Sequence, residues 1–251
     1  MQPDWACGRA RLRGSRNDMR VLVTRAVEDA SDIAAELVAR GHEPLIAPLL
    51  DIQYRGGPPL DLSAVQAVLA TSKNGVRALA LRTTRRDLPI LAVGPQTAAA
   101  ARALGFANVR HANGDAVALA NAVPDWATPD KGLLFYAAGA ERSSDLADRL
   151  TMKGYTVRTH ALYEAVEITV LPAGVRGALE HGLLDAVLVF SPRSARILVD
   201  RLSGDGLAQA CRTIDAYAIS AAAAEPLKVL PFRSIHWASQ PSRESLLALL
   251  T

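Results

Sequence analysis

One phenol, several grouped hydroxyls and a few guanidinium groups are the side chains of this 251-residue chain whose placement could do chemistry. Tyr163 closes the run Val157-Arg-Thr-His-Ala-Leu-Tyr163. A phenol there could donate a proton to a departing oxygen, or hydrogen-bond it. Its structural alternative is a buried tyrosine whose O–H finds a backbone partner. Hydroxyl-bearing, amide and glycine residues fall in short groups: Thr71, Ser72, Asn74 and Gly75; Gly94 and Thr97; Gly139; Ser191, Pro192 and Ser194; and Ser220. At a helix start such residues leave unpaired N–H groups and a partial positive charge that suit carboxylates or phosphates. The same residues are also ordinary N-caps and turn formers, so one group alone decides nothing. Arg25 and Arg142 stand early in the helices that follow two strands, placed to hold a carboxylate or to remain solvated charges.

These groups share a position: each comes just after a strand and just before a helix. Aliphatic runs predict strands over 20–24, 43–47, 66–70, 89–93, 107–111, 132–136, 155–160, 185–190, 213–219 and 234–237. Helical spacing predicts helices over 27–40, 74–82, 96–104, 115–122, 142–153, 174–181, 193–203, 221–230 and 242–250. In the first helix Ala30, Ile33, Ala34, Leu37 and Val38 make one apolar stripe, and Gly41 supplies a left-handed stop. Strands alternating with helices imply parallel sheets covered on both faces, an α/β fold. In such sheets ligands bind at the carboxyl edge, where all the groups above would lie.

The pattern repeats. Ser31-Asp-Ile-Ala-Ala-Glu-Leu returns as Ser144-Asp-Leu-Ala-Asp-Arg-Leu, and Ala67-Val-Leu-Ala-Thr-Ser72 as Ala186-Val-Leu-Val-Phe-Ser191. Val93-Gly-Pro-Gln-Thr-Ala-Ala-Ala-Ala101 faces Ile219-Ser-Ala-Ala-Ala-Ala-Glu-Pro-Leu227 more weakly. Offsets that grow along the chain, 113, 119 and 126, predict two copies of one α/β unit with loop insertions. Two copies would let several helix starts converge on a cleft suited to a large polyanionic ligand. The repeats alone would put a boundary near 128, and Tyr163 would then be matched by Leu50.

Composition removes other functions. The formal charge is +3, but four arginines against two aspartates in residues 1–18 leave the remainder at +1, too little for bulk attraction to nucleic acid. Residues 1–18 show no period and are expected to be a flexible extension. Cys7 and Cys211 form no Cys-x-x-Cys pair, and His42, His111, His160, His181 and His236 lack ligand spacing, so no metal site is expected. No Gly-x-Gly-x-x-Gly, phosphate-loop or Gly-x-Ser-x-Gly motif occurs, which disfavours nicotinamide, ATP and the commonest hydrolase chemistry. No apolar run reaches the roughly 18 residues of a membrane span, and no secretory h-region is present, so a cytoplasmic protein is expected.

Val21-Leu-Val-Thr-Arg25, Thr71-Ser-Lys-Asn-Gly-Val76, Val93-Gly-Pro-Gln-Thr-Ala98, Leu162-Tyr163 and Phe190-Ser-Pro-Arg-Ser194, in this order, resemble the uroporphyrinogen-III synthase family over about 20–251. Ala26 stands where that family usually has Pro, Phe190 where it often has Thr, and Ser220-Ala-Ala-Ala223 is a plain version of its Gly-x-x-Thr-Ala stretch. The resemblance implies a cofactor-free, monomeric hydro-lyase that dehydrates hydroxymethylbilane, inverts its last pyrrole ring and closes the macrocycle. Tyr163 would be its catalytic phenol, and the grouped residues and arginines would hold the eight substrate carboxylates. It further implies two flavodoxin-like lobes joined by a two-stranded linker, one built from 19–51 and 166–251, the other from 52–165, in place of the boundary near 128. A two-lobed ligand sensor without catalysis is the alternative from another class. A sugar-phosphate isomerase would want a His or Glu base after a strand, and none stands there.

Overall fold

The computed structural model describes residues 18–141 and 145–250, so the expected extension lies, except for Asp18, outside the described residues. Along the chain come β1 (Arg20–Val23), α1 (Val27–Ala39), β2 (Glu43–Ile46), β3 (Leu50–Tyr54), β4 (Val65–Ala70), α2 (Lys73–Arg82), β5 (Ile90–Ala92), α3 (Pro95–Ala103), β6 (Val109–His111), α4 (Ala116–Ala122), β7 (Leu133–Gly139) and α5 (Leu146–Met152). Then follow β8 (Val157–Glu167), α6 (Ala173–Glu180), β9 (Ala186–Val189), α7 (Pro192–Gly204), β10 (Asp215–Ala218), α8 (Ala221–Ala224), β11 (Ser234–Trp237) and α9 (Arg243–Leu247).

The chain divides into two compact units. One takes in the described residues up to Asp51 and those from Glu167 on; the other is Ile52–Val166. Both crossings of the chain occur inside strands, β3 and β8, which neighbour each other in one sheet. The first unit holds the order β2-β1-β9-β10-β11, parallel throughout. The second holds β8-β7-β4-β5-β6, also parallel, with β3 outside β8. The first order is the flavodoxin-like 2-1-3-4-5, and the second has the same neighbours if counting starts at β7. The strands expected to match, β4 with β9 and β7 with β1, take the same rank in their sheets. In each sheet the order reverses between two strands, at β1/β9 and β7/β4, where open α/β sheets leave a crevice at the carboxyl ends.

Successive strand residues point to opposite faces, and both faces are covered, so the inner strands are apolar throughout. In the first unit Leu22, Val187, Val189, Ala216 and Ala218 pack against α6, α7 and α8, while Val21, Val23, Ala186 and Leu188 pack against α1 and α9. In the second unit Val68, Ala70, Phe135 and Ala137 face α2 and α3. Ala67, Leu69, Tyr136 and Ala138 face α4 and α5. The end of α1 follows the expected stop: Gly41, at φ 87°, donates to Val38 O at 2.9 Å and His42 to Leu37 O at 2.9 Å.

Three expectations need correcting. β3 stands where the aliphatic runs predict no strand, although the two-stranded linker that the resemblance implies falls there, and β8 runs on to Glu167 instead of ending at 160. The helix expected over 221–230 is α-helical only to Ala224 and continues as a 3-10 segment, Glu225–Val229. Pro226 lacks the N–H that an α-helical ladder needs there. The start of the helix expected over 142–153 lies outside the described residues; α5 begins at Leu146.

Candidate active site

The reversal point of the second unit joins three strands through one phenol. β4 ends at Ala70, but Ser72 still has an extended backbone, and continued alternation turns it to the face of Val68 and Ala70. Ser72 caps α2, its Oγ accepting from the Gly75 N–H at 3.1 Å. Tyr163 lies on β8 with β7 between it and β4, so its ring must pass over β7 to reach Ser72. It passes at Gly139, its register partner: a Cβ built there would sit 3.0 Å from Tyr163 Cζ and 3.2 Å from the phenol oxygen. With no side chain in the way, Tyr163 OH reaches Ser72 Oγ at 2.7 Å. The Ala140 N–H donates to Tyr163 O at 2.8 Å, which fixes the strand end beneath the ring. Burial raises the pKa of this phenol above its ordinary value, the Ser72 bond lowers it and Tyr136 raises it further. Tyr163 therefore carries its proton at neutral pH.

The neighbouring groups share this edge but differ in role. Gly75 stands so close to β7 that a Cβ would lie 2.4 Å from Ala137 O, a packing reason for glycine. Asn74 Oδ1 accepts from Arg77 Nη1 at 3.1 Å. Gly94 begins α3 with Pro95 at the first turn, leaving that helix start without a side-chain cap bond. Thr97, one turn on, is buried.

The reversal point of the first unit is organised by a capping box. Ser191 Oγ accepts from the Ser194 N–H at 3.0 Å, Ser194 Oγ accepts from the Ser191 N–H at 3.1 Å, and Pro192 occupies the first turn of α7. Ser194 also donates to Ser191 O at 3.0 Å, so its hydroxyl is engaged within the cap. Ser191→Ala should cost about 1 kcal/mol, read by calorimetry as a melting temperature lower by about 3 °C. Arg25 pairs with Asp29 at 3.1 Å and lies 5.3 Å from the centre of the Phe190 ring, the ring that stands where the family often has Thr. Thr24 Oγ1 donates to Leu188 O at 2.7 Å, tying β1 to β9. Ser220 caps the four-residue α8, accepting from the Ala223 N–H at 3.3 Å. Arg142 lies outside the described residues.

Sequence reasoning missed Tyr136. Its OH lies 3.0 Å from Thr71 Oγ1, on the sheet face opposite Tyr163. The available signal was a hydroxyl inside an otherwise apolar inner strand, Leu-Leu-Phe-Tyr-Ala-Ala-Gly. Among the described residues no group of three or more His, Cys, Asp or Glu could hold a metal ion. Burial pushes the Cys211 thiol up to about 11, which leaves it a poor nucleophile. No helix among the described residues is long and apolar enough to cross a membrane.

The family described as Uroporphyrinogen-III synthase HemD matches residues 31–248. Among solved structures, uroporphyrinogen-III synthetase from Helicobacter pylori is 18% identical, with a TM-score of 0.61 over 92% of this chain and 97% of that one. A mutant uroporphyrinogen III synthase from the extremely thermophilic bacterium Thermus thermophilus is also 18% identical, with a TM-score of 0.53 over 92% and 97%. At that identity the two structures speak to the fold alone. A comparison with curated proteins gives no match.

Proposed function

This chain belongs to the uroporphyrinogen-III synthase HemD family, and on that premise we propose that Tyr163 is the general acid of its reaction. The enzyme is a hydro-lyase of tetrapyrrole synthesis. Its substrate, hydroxymethylbilane, must lose the hydroxyl of its terminal carbon, and the last pyrrole must then attack through its substituted carbon for the ring to end inverted. In the step assigned to Tyr163, the C–O bond breaks as the phenol proton passes to the departing oxygen, and water leaves. Ring closure releases one proton from the attacking pyrrole, which restores the phenol.

The observation that carries this assignment is the Ser72–Tyr163 bond at 2.7 Å. Ser72 Oγ already accepts from Gly75, so its own hydrogen is available to the phenol oxygen. With Ser72 donating, the hydrogen of Tyr163 is left to point at the substrate. Within the second unit the starts of α2 and α3, after Ser72 and Gly94, offer N–H donors of the kind that suits carboxylates without a basic patch, and within the first unit the starts of α7 and α8, after Ser191 and Ser220, offer the same. Arg25, held by Asp29, is the guanidinium we assign to the same task. Much of the catalysis is then geometric, since isomer III requires one ring to be held for attack at its hindered carbon.

The test is to mix the purified full chain with freshly made hydroxymethylbilane and separate the isomers. Isomer III supports the assignment of activity; only the symmetric isomer, formed at the rate seen without protein, overturns it. Tyr163→Phe should lower the specific rate about 10-fold or more, with the fold unchanged by circular dichroism. A loss smaller than a general acid usually supplies is expected because the hydroxyl leaves readily from a carbon attached to an electron-rich pyrrole. Parent-like turnover at saturating substrate would make Tyr163 a structural residue.

A further inference from the structure

We propose that Tyr136 is a positioning residue for this reaction: bonded to Thr71 on one face of the sheet, it holds the peptide that carries Ser72 against Tyr163 on the other. The inference rests on the catalytic assignment of Tyr163. β4 alternates, so Ala67, Leu69 and then Thr71 belong to the α4/α5 face, while Val68, Ala70 and then Ser72 belong to the α2/α3 face. Each face ends on a hydroxyl, and each hydroxyl meets a phenol from another strand. Tyr136 OH is 3.0 Å from Thr71 Oγ1, and Tyr163 OH is 2.7 Å from Ser72 Oγ. Two consecutive residues at the strand–helix junction are thus anchored from opposite sides. Losing either anchor frees the peptide between them to rotate, which moves Ser72.

The Tyr136 ring is 3% exposed, so it acts from beneath the edge, without touching substrate. Packing alone would be served by phenylalanine. Tyr155 gives the contrast within the same core cluster: it is equally enclosed, but its hydroxyl donates to Ala127 O at 2.7 Å, far along the chain from the junction. That bond fastens a loop. The Tyr136 bond fastens the residue next to Ser72.

The experiment compares Tyr136→Phe, Tyr155→Phe and Tyr163→Phe in the full chain. Tyr136→Phe should lower kcat for isomer III about 5-fold, the worth of one hydrogen bond, with KM unchanged. In the Tyr163→Phe background the same change should do nothing more, because its route is gone. Tyr155→Phe should lower the melting temperature and leave kcat alone. A parent-like kcat for Tyr136→Phe, an effect confined to KM, or a full further loss in the Tyr163→Phe background overturns the inference. A substrate-free measurement separates it from the assignment it rests on. With 13Cζ-labelled tyrosine, the Tyr163 resonance should move in Tyr136→Phe and stay in place in Tyr155→Phe. An unmoved Tyr163 resonance overturns the positioning role whatever the activity, whereas a parent chain that yields only the symmetric isomer overturns the catalytic assignment and leaves the resonance shift to be explained.

Discussion

Gly139→Val is expected to lower the specific rate on the order of 100-fold while the protein stays folded, a larger loss than removing the Tyr163 hydroxyl itself. The reason is the path of the phenol. Tyr163 reaches Ser72 only by crossing β7 at Gly139, where an added Cβ would stand 3.0 to 3.3 Å from two ring carbons and the phenol oxygen. One methyl group asks the ring to yield by a few tenths of an ångström; the branched valine claims the space the ring occupies. Tyr163→Phe leaves a ring of the same shape in place, and so removes one proton donor. Gly139→Val swings that ring aside and takes the hydroxyl, the Ser72 bond and the shape of the edge together. Gly139→Ala should fall between, and the graded series is the check: isomer III formation should decline from glycine to alanine to valine. Gly139 is not among the positive-φ glycines, so no backbone strain is introduced by either replacement. Equal rates for glycine and valine would mean that the phenol does not need this path.

How much of this could be read from the sequence depends on the range of the interaction. The groups at strand ends were legible because capping is local: Ser72, Ser191 and Ser220 each accept from an N–H three residues on, and a Ser before a helical stripe announces that. The parallel α/β class was legible because the inner strands are continuous apolar runs. β3 was missed although Leu50-Asp-Ile-Gln-Tyr54 alternates half-buried and exposed residues, since a five-residue edge strand carries too little hydrophobic signal beside a proline. Tyr163 stood out as a phenol, but its partner lies 91 residues away, reached across a glycine whose meaning depends on strand order. The Tyr136–Thr71 pair was hidden for the same reason: no local rule links an inner-strand tyrosine to a hydroxyl 65 residues earlier. The spacing of Gly75 places it among candidate ligand-binding residues, and only the fold shows that a Cβ there would also meet a backbone carbonyl of β7.

That carbonyl makes Gly75→Ala the second large effect, and two opposed terms decide its sign. Alanine inside a helix is better than glycine by about 1 kcal/mol, so propensity favours the change. Against it, the new Cβ would lie 2.4 Å from Ala137 O, a distance real Cβ atoms essentially never show, and a main-chain oxygen in an inner strand cannot swing away as a flexible side chain would. Overpacking of this kind costs typically about 1–3 kcal/mol, and here α2 must lift off β7 to relieve it. Because the obstacle is a fixed main-chain oxygen, the cost falls in the upper part of that range and the clash should win, leaving the protein less stable by about 1–2 kcal/mol, with a melting temperature lower by several degrees. Gly177 in α6 provides the control, because nothing lies within 4 Å of a Cβ built there. Gly177→Ala should stabilise by about 0.5–1 kcal/mol through the same propensity that is overridden at position 75. Activity separates the two still further. Lifting the start of α2 carries away the N–H that Ser72 caps and the hydroxyl that Tyr163 meets, so Gly75→Ala should lose most of its isomer III formation even at temperatures where it is folded. Gly177→Ala should keep parental turnover. If calorimetry found Gly75→Ala as stable as the parent, α2 would have to reach its place on β7 by a different packing, and the position of Ser72 would no longer follow from it.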